Sequence, residues 1–122
     1  GDLPGSATIE GYEMVALQTG AALHAEGADM HHCVASYAGN VIRGFSRIFS
    51  VRKDGRRVAT FEIGKSGFLL ASGEFLQLPS SKGPLYKLIQ LKGPYNAEVP
   101  QEVEQAIRAF ISGLNDTARA AG

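Results

Sequence analysis

The sequence predicts an α+β domain in which helices flank one antiparallel sheet of about four to five strands. Three observations support this prediction. Strand-like alternation is concentrated between residues 45 and 91, and helical periodicity occurs before and after that segment. No repeat or charged linker divides the 122 residues, of which 44% are hydrophobic. We therefore expect a single domain over residues 1–122, with two helices in its N-terminal half and one at its C-terminus.

The N-terminal third predicts one strand and two short helices. Residues 7–17 alternate loosely between apolar and polar types, as a strand does. Residues 21–26 suit a helix that Gly27 ends, and Asp29 is a candidate cap for a second helix over residues 30–42. Apolar residues in that second helix recur at steps of three and four: Cys33, Val34, Tyr37, Ala38 and Val41.

The clearest strands are residues 45–52 and 57–63, which alternate strictly and predict a hairpin joined through residues 53–55. A three-residue loop would pair Phe49 with Ala59 and keep the apolar side chains on one face. A two-residue loop would mix the two faces. We therefore expect the three-residue loop.

The remaining elements are two strands and a final helix. Residues 67–78 and 86–91 predict the strands, and the helix follows Pro100. The helix carries one apolar stripe, formed by Val103, Ile107, Phe110, Ile111 and Leu114. Residues 1–6 and 117–122 are expected to fray.

Composition excludes several classes of protein. Twelve basic and twelve acidic residues give a net charge of zero, so no global charge favours nucleic acid. A single cysteine cannot form an internal disulfide, and no apolar run or signal peptide indicates a membrane or secreted protein. We expect a cytoplasmic protein, and the absence of an initiator Met predicts a fragment of a longer one. No nucleotide-binding fingerprint is present, so no cofactor is expected.

A local cluster of basic residues is the exception to this balance. Six cations occur within fifteen residues: Arg43, Arg47, Arg52, Lys53, Arg56 and Arg57. The cluster fits either a solvated strand edge or a surface that binds the phosphates of a nucleic acid.

Cys33 is the candidate nucleophile, because a cysteine near a helix N-terminus can be held as a thiolate. Its neighbour His32 points about 100° away on a helix, so a base would have to come from elsewhere. The alternative is a buried, unreactive cysteine within the apolar stripe. The chain has no zinc-type ligand spacing, so we expect no metal site.

The predicted hairpin also gathers polar residues on one face. Ser50 and Arg52 would lie beside Thr60 and Glu62, an arrangement in which the guanidinium binds an anion and Glu62 handles a proton. The alternatives are a cross-strand polar ladder or a solvated surface.

An ordered series of short motifs resembles the C-terminal domain of PcfJ-like proteins, which occur on conjugative plasmids, phages and other mobile elements. The positions that carry the resemblance are Glu26, Gly27, Met30, His32, Cys33, Val34, Tyr37, Ser50, Val51, Arg52, Thr60, Phe61, Glu62, Gln90, Gly93 and Asn96. The resemblance covers residues 19–114, and the stretch 67–86 is longer than the family pattern, as an insertion would be.

The resemblance implies a mobile-element context and polar residues that line one cleft. That this cleft acts on a nucleic acid or nucleotide-containing substrate is our leading hypothesis. The residues that it assigns to catalysis are His32, Cys33, Arg52 and Glu62. Those that it assigns to substrate binding are Tyr37, Ser50, Thr60, Gln90 and Asn96. Two alternatives remain open: a non-catalytic module that binds nucleic acid or the other domains of a parent protein, and an inhibitor of a host defence protein.

Overall fold

The computed structural model describes residues 5–31, 46–65, 67–69, 71–72, 74–77 and 86–121. Its strands are β1 (Ser6–Ile9), β2 (Tyr12–Ala16), β3 (Ser46–Lys53), β4 (Arg56–Lys65), β5 (Gly67–Leu69), β6 (Phe75–Gln77) and β7 (Tyr86–Lys92). Its helices are α1 (Gly20–Met30) and α2 (Gln101–Ala121), and a 3₁₀ turn spans Pro94–Asn96.

Five strands form one antiparallel sheet in the order β1-β2-β3-β4-β7. The α+β class and the antiparallel sheet are therefore as predicted, and β3, β4 and β7 lie within a few residues of their predicted bounds. The predicted strand over residues 67–78 is instead two short strands, β5 and β6, which pair with each other in a separate two-stranded sheet.

The predicted strand over residues 7–17 is also two strands. Glu10 and Gly11 both have positive φ, at 52° and 85°, and they reverse the chain so that β1 pairs with β2. Consecutive left-handed residues form the tight turn whose twist matches a hairpin. The loose alternation of this segment concealed the turn, because the sequence does not show where one strand ends.

The predicted number of helices is wrong for the described residues. The first helix was expected to end at Gly27, but α1 runs through Gly27 and Asp29 and is capped by His31, which is left-handed with φ 55°. Residues 32–42 of the second predicted helix, residues 30–42, lie outside the described residues. Thr19 caps its start, since its hydroxyl oxygen accepts a hydrogen bond from the N–H of Ala22 at 3.0 Å. Buried Glu26 and Met30 lie on either side of Gly27, and their tertiary contacts outweigh the helix penalty of a glycine, about 1 kcal/mol.

The predicted loop and register of the central hairpin are also wrong. Asp54 and Gly55, with φ 52° and 79°, form a two-residue turn, and Lys53 pairs with Arg56. A bulge next to Val51 then adds one residue to β4, so that Phe49 pairs with Phe61 rather than Ala59. The bulge keeps the apolar side chains on one face, which is the result that the longer loop was expected to achieve.

The main core lies between the sheet and α2. The rings of Phe49 and Phe61 stack with centroids 5.2 Å apart, and Phe110 of α2 meets each of them edge-on. The helix residues buried against the sheet are Val103, Ala106, Ile107, Phe110 and Ile111, which confirms the predicted stripe. The opposite face of the sheet carries α1, and Leu17, Leu23 and Ile48 form a second small core there.

Candidate functional site

The predicted polar residues of β3 and β4 lie on the sheet face that carries α1. We call this surface the polar face and define it as Ser50, Arg52, Thr60, Glu62 and Gln90. Ser50 is fully buried, and Thr60 and Glu62 are each only 4% exposed. A solvated surface is therefore excluded for these three residues. Polar groups so deeply buried require partners, and those partners determine what the site can do.

Glu26 of α1 reaches into the polar face and is itself fully buried. Its Oε2 accepts a hydrogen bond from the hydroxyl of Thr60, and its Oε1 lies 2.8 Å from Nε of Arg57. That ion pair is close, but the N–H is not aligned for a hydrogen bond with the carboxylate. Arg57 also pairs with Asp29 at 3.1 Å, so one guanidinium joins two acidic residues of α1.

The polar face also fixes the guanidinium of Arg52. Its Nε donates a hydrogen bond of 3.1 Å to the hydroxyl of Ser50, two residues earlier on β3. Arg52 is only half-buried, so this contact orients the guanidinium at the margin of the buried polar layer. A cation held in this way is suited to binding an anion, because less side-chain freedom is lost on binding.

Glu62 and Gln90 occupy directly opposed positions on β4 and β7. Opposed residues project from the same face of a sheet, so the amide of Gln90 belongs to the polar face. Its Oε1 is buried and accepts no hydrogen bond. Among the residues that the structure describes, no hydrogen bond or ion pair reaches the Glu62 carboxylate. A largely buried glutamate and a buried amide oxygen thus lie on directly opposed residues of neighbouring strands.

Other predicted site residues lie elsewhere or are not described. Asn96 is exposed and left-handed, with φ 62°, in the turn after β7, and no described contact joins it to the polar face. His32, Cys33 and Tyr37 lie outside the described residues, as does Arg43 of the basic cluster.

The basic cluster divides between the two faces of the hairpin. Arg52 and Arg57 are opposed in the register and contact the polar face, as described above. Lys53 and Arg56 form the next opposed pair of residues in the hairpin. The ammonium of Lys53 lies 4.8 Å from the centroid of the Tyr12 ring. Arg47 is half-buried further along β3.

Sequence reasoning assigned no chemical role to Glu26, although the residue is part of the family resemblance. The available signal was its place between Leu23 and Met30 on the buried side of α1. A carboxylate on an apolar helix face indicates a buried partner of opposite charge or a hydroxyl donor. The predicted break at Gly27 hid that face, since it placed Glu26 at a helix end.

A second polar region lies between α2 and β7, where an open groove of about 510 Å³ includes Tyr86, Lys87, Arg108 and Arg119 in its lining. Asn115 is buried there and binds the backbone of Tyr86 twice. Its Oδ1 accepts a hydrogen bond of 2.7 Å from the N–H of Tyr86, and its Nδ2 donates one of 3.0 Å to the carbonyl of Tyr86. Burial raises the pKa of the Tyr86 phenol, and the charge of Arg47 partly offsets that rise.

The described part of the chain contains neither a group of metal-binding side chains nor a membrane-spanning helix. Within those residues, no three His, Cys, Asp or Glu side chains are grouped so as to hold a metal ion. No helix among them is long and apolar enough to cross a membrane.

These features define an α+β protein with a polar layer between its sheet and α1. The chain belongs to the PcfJ-like family: the family model described as "PcfJ-like protein" matches residues 5–74, more than half of the 122. That match includes Glu26, Ser50, Arg52, Thr60 and Glu62, whereas Gln90 and Asn96 lie beyond it. No curated protein and no solved structure matches the chain.

Proposed function

We propose that this PcfJ-like domain acts in the cytoplasm, within a protein of a mobile genetic element such as a conjugative plasmid or phage. Its polar face would act on a nucleic acid or another nucleotide-containing substrate. The observation that carries the proposal is the largely buried Glu62 directly opposed to the unpaired Oε1 of Gln90, on the same sheet face as the oriented guanidinium of Arg52.

The energetics of burial support a functional role for Glu62. Glu62 is only 4% exposed, and no described residue pairs with its carboxylate. Burial of a carboxylate lowers stability at most positions, so an apolar or amide side chain would be expected to fold better there. Groups that reduce stability in this way are concentrated at functional sites. In contrast, Glu26 is buried with two partners, as expected of a residue that supports the site.

The proposed roles follow from the chemistry of each group. Arg52 binds a phosphate oxygen, because a guanidinium offers planar donors to a phosphate. Glu62 takes or gives a proton at the reacting group, and Gln90 orients the substrate through its amide. His32, Cys33 and Tyr37 remain candidates for the same site on the strength of the family resemblance.

The first experiment tests Glu62 without needing a substrate. Glu62→Gln has nearly the same shape and removes the charge, so we expect the melting temperature to rise or stay unchanged. Glu98→Gln, an exposed residue after β7, is the matched control and should change the melting temperature little. A large fall in the melting temperature of Glu62→Gln would show that the carboxylate is structural and would contradict the proposal.

The second experiment tests activity directly. Labelled single- and double-stranded DNA and RNA oligonucleotides, and nucleoside triphosphates, are incubated with the protein and resolved for products. We expect Arg52→Gln and Glu62→Gln to abolish any turnover while Arg108→Gln and Glu98→Gln retain it. Binding without turnover on every probe would instead favour a non-catalytic module.

That second candidate, a module that binds nucleic acid, is favoured by one observation. Cations oppose each other on two successive rungs of the hairpin, Arg52 with Arg57 and Lys53 with Arg56. Arg57 is already paired with Glu26 and Asp29, whereas Lys53 and Arg56 are exposed. Like charges directly opposed destabilise a hairpin, so the pair of Lys53 and Arg56 is explained if an anion neutralises it.

Charge reversal at Arg56 tests this candidate. Arg56 is exposed, whereas Arg57 also holds Glu26 and Asp29, so reversal at Arg57 would disturb the fold. We expect Arg56→Glu to weaken salt-dependent oligonucleotide binding and to leave the melting temperature unchanged. Equal affinity for Arg56→Glu and the wild-type protein would exclude the hairpin as the binding surface.

A further inference from the structure

An aromatic pair joins the end of α1 to the turn after β7. The rings of His31 and Tyr95 are nearly parallel, at 7°, with centroids 4.5 Å apart. His31 is exposed, and Tyr95 is 72% exposed, the highest value among the large hydrophobic residues that the structure describes. A stacked pair of this kind usually lies in a core or an interface, where burial stabilises it. Here the outer surface of the pair faces solvent.

The backbone holds both rings in place at some cost in energy. His31, Tyr95 and Asn96 all have positive φ, at 55°, 58° and 62°, a conformation that is disfavoured for a residue with a side chain. The turn is closed by two hydrogen bonds, from the N–H of Gly93 to the carbonyl of Ala97 at 2.7 Å and from the N–H of Ala97 to the carbonyl of Pro94 at 3.0 Å. Strain of this kind is typical of binding sites.

The pair lies at the end of the sheet that carries the basic hairpin. Lys92 is opposed to Thr60, so the turn that follows β7 extends past Thr60 toward the start of β4, where Arg57 lies. Arg57 is bound to Asp29, two residues before His31. Arg57 is paired with two carboxylates, so the cations offered to a ligand at this end of the sheet are the exposed Lys53 and Arg56 of the hairpin tip.

We infer that the stacked rings of His31 and Tyr95 form a platform on which an unpaired base of a single-stranded nucleic acid stacks. Proteins that bind single strands combine aromatic surfaces for the bases with cations for the phosphates. Here the exposed rings lie at the end of the sheet where the hairpin tip carries the exposed cations Lys53 and Arg56. This inference rests on the proposed function, and it adds the form of the nucleic acid and the residues that contact its bases.

The test compares two fluorescein-labelled probes by anisotropy: a single-stranded DNA 12-mer and an abasic strand of the same length and charge. We expect the wild-type protein to bind the strand with bases roughly 5- to 100-fold more tightly. Tyr95→Ala should remove that preference, and Tyr95→Phe should keep it. Ile89→Ala, which removes another exposed apolar side chain, is the matched control and should have no effect.

A second readout reports contact with the bases. The chain has no tryptophan, so Tyr95→Trp introduces a single tryptophan whose emission can be followed separately from that of the tyrosines. We expect its emission to be quenched by the strand with bases and not by the abasic strand. Ala109→Trp places the tryptophan at an exposed position of α2, and neither strand should quench its emission.

The outcomes separate this inference from the proposed function. Equal binding of both strands, with no effect of Tyr95→Ala, would overturn the platform while leaving binding of phosphates intact. Failure of the wild-type protein to bind either strand at low salt would overturn both. If Tyr95→Ala fails to fold, quenching of Tyr95→Trp by both strands alike would overturn the platform independently.

Discussion

The hydroxyl of Thr60 on β4 donates a hydrogen bond to the fully buried carboxylate of Glu26 on α1. This contact joins residues 34 positions apart in the sequence and fixes α1 on the polar face of the sheet. Arg57 lies 2.8 Å from the other oxygen of the same carboxylate, so the charge of Glu26 is paired with a cation within the protein. The polar face is therefore supported by a network that can be dissected residue by residue.

Removal of the Thr60 hydroxyl should destabilise the fold. Thr60→Val keeps the shape and leaves a buried carboxylate oxygen without its donor, so we expect the free energy of unfolding to fall by about 1–3 kcal/mol. Thr60→Ser retains the donor and should lose clearly less. Urea denaturation measures both. Equal losses for the two variants would show that packing of the methyl group, and not the hydrogen bond, holds α1.

The Glu26–Arg57 ion pair should show a large coupling energy. In a double-mutant cycle of Glu26→Gln and Arg57→Gln, we expect a coupling of about 1–3 kcal/mol, because Glu26 is fully buried and Arg57 is partly exposed. The exposed pair of Glu104 and Arg108 on α2 is the matched control, with an expected coupling of about 0.3–0.5 kcal/mol. Equal couplings in the two cycles would mean that the buried pair contributes no more than a surface pair.

Phe110 should be the most sensitive position on α2. Phe110→Ala opens a cavity against Phe49 and Phe61, and we expect the free energy of unfolding to fall by about 3–5 kcal/mol. Phe110→Leu should lose less, since it fills more of the space. Arg108→Ala, exposed on the same helix, should stay within about 0.5 kcal/mol of the wild-type protein. A small loss for Phe110→Ala would contradict the assignment of the main core to this face.

Stability should decrease at high pH because of Tyr86. Burial raises the pKa of its phenol in the folded protein, so the unfolded chain loses that proton first. The contribution of Tyr86 is therefore complete below about pH 10, the pKa of an unfolded tyrosine, and is lost as pH rises through the folded pKa. We expect the free energy of unfolding to fall less steeply above pH 10 in Tyr86→Phe than in the wild-type protein.

A second variant tests the effect of the Arg47 charge on the pKa of Tyr86. Arg47 lowers the pKa of Tyr86, so Arg47→Gln should raise that pKa further and steepen the fall. Arg56→Gln makes the same change of charge at the hairpin tip and should leave the slope as it is in the wild-type protein. A slope unchanged in both Tyr86→Phe and Arg47→Gln would show that Tyr86 does not control alkaline unfolding.

Several features of the fold could be predicted because their signals are local. The stripe of Val103, Ile107 and Phe110 predicts the buried side of α2 from its spacing alone, and strict alternation predicts β3 and β4. The gathering of Ser50, Thr60 and Glu62 on one face also follows from alternation, even though the predicted register was wrong. The bulge beside Val51 compensates for the shorter turn and leaves the faces sorted as expected.

What the sequence alone determined about this protein is its class, its strongest elements, its family and the polar residues of its central hairpin, all of which depend on spacing along the chain. Only the tertiary structure decided that α1 continues through Gly27, that Glu26 is buried, and that Arg57 binds acidic residues of α1. These features depend on contacts between residues about 30 positions apart. Such contacts can override the tendency of a glycine to end a helix and the tendency of an arginine to stay in solvent. The reason is that burial and charge pairing involve larger free energies than helix propensity does.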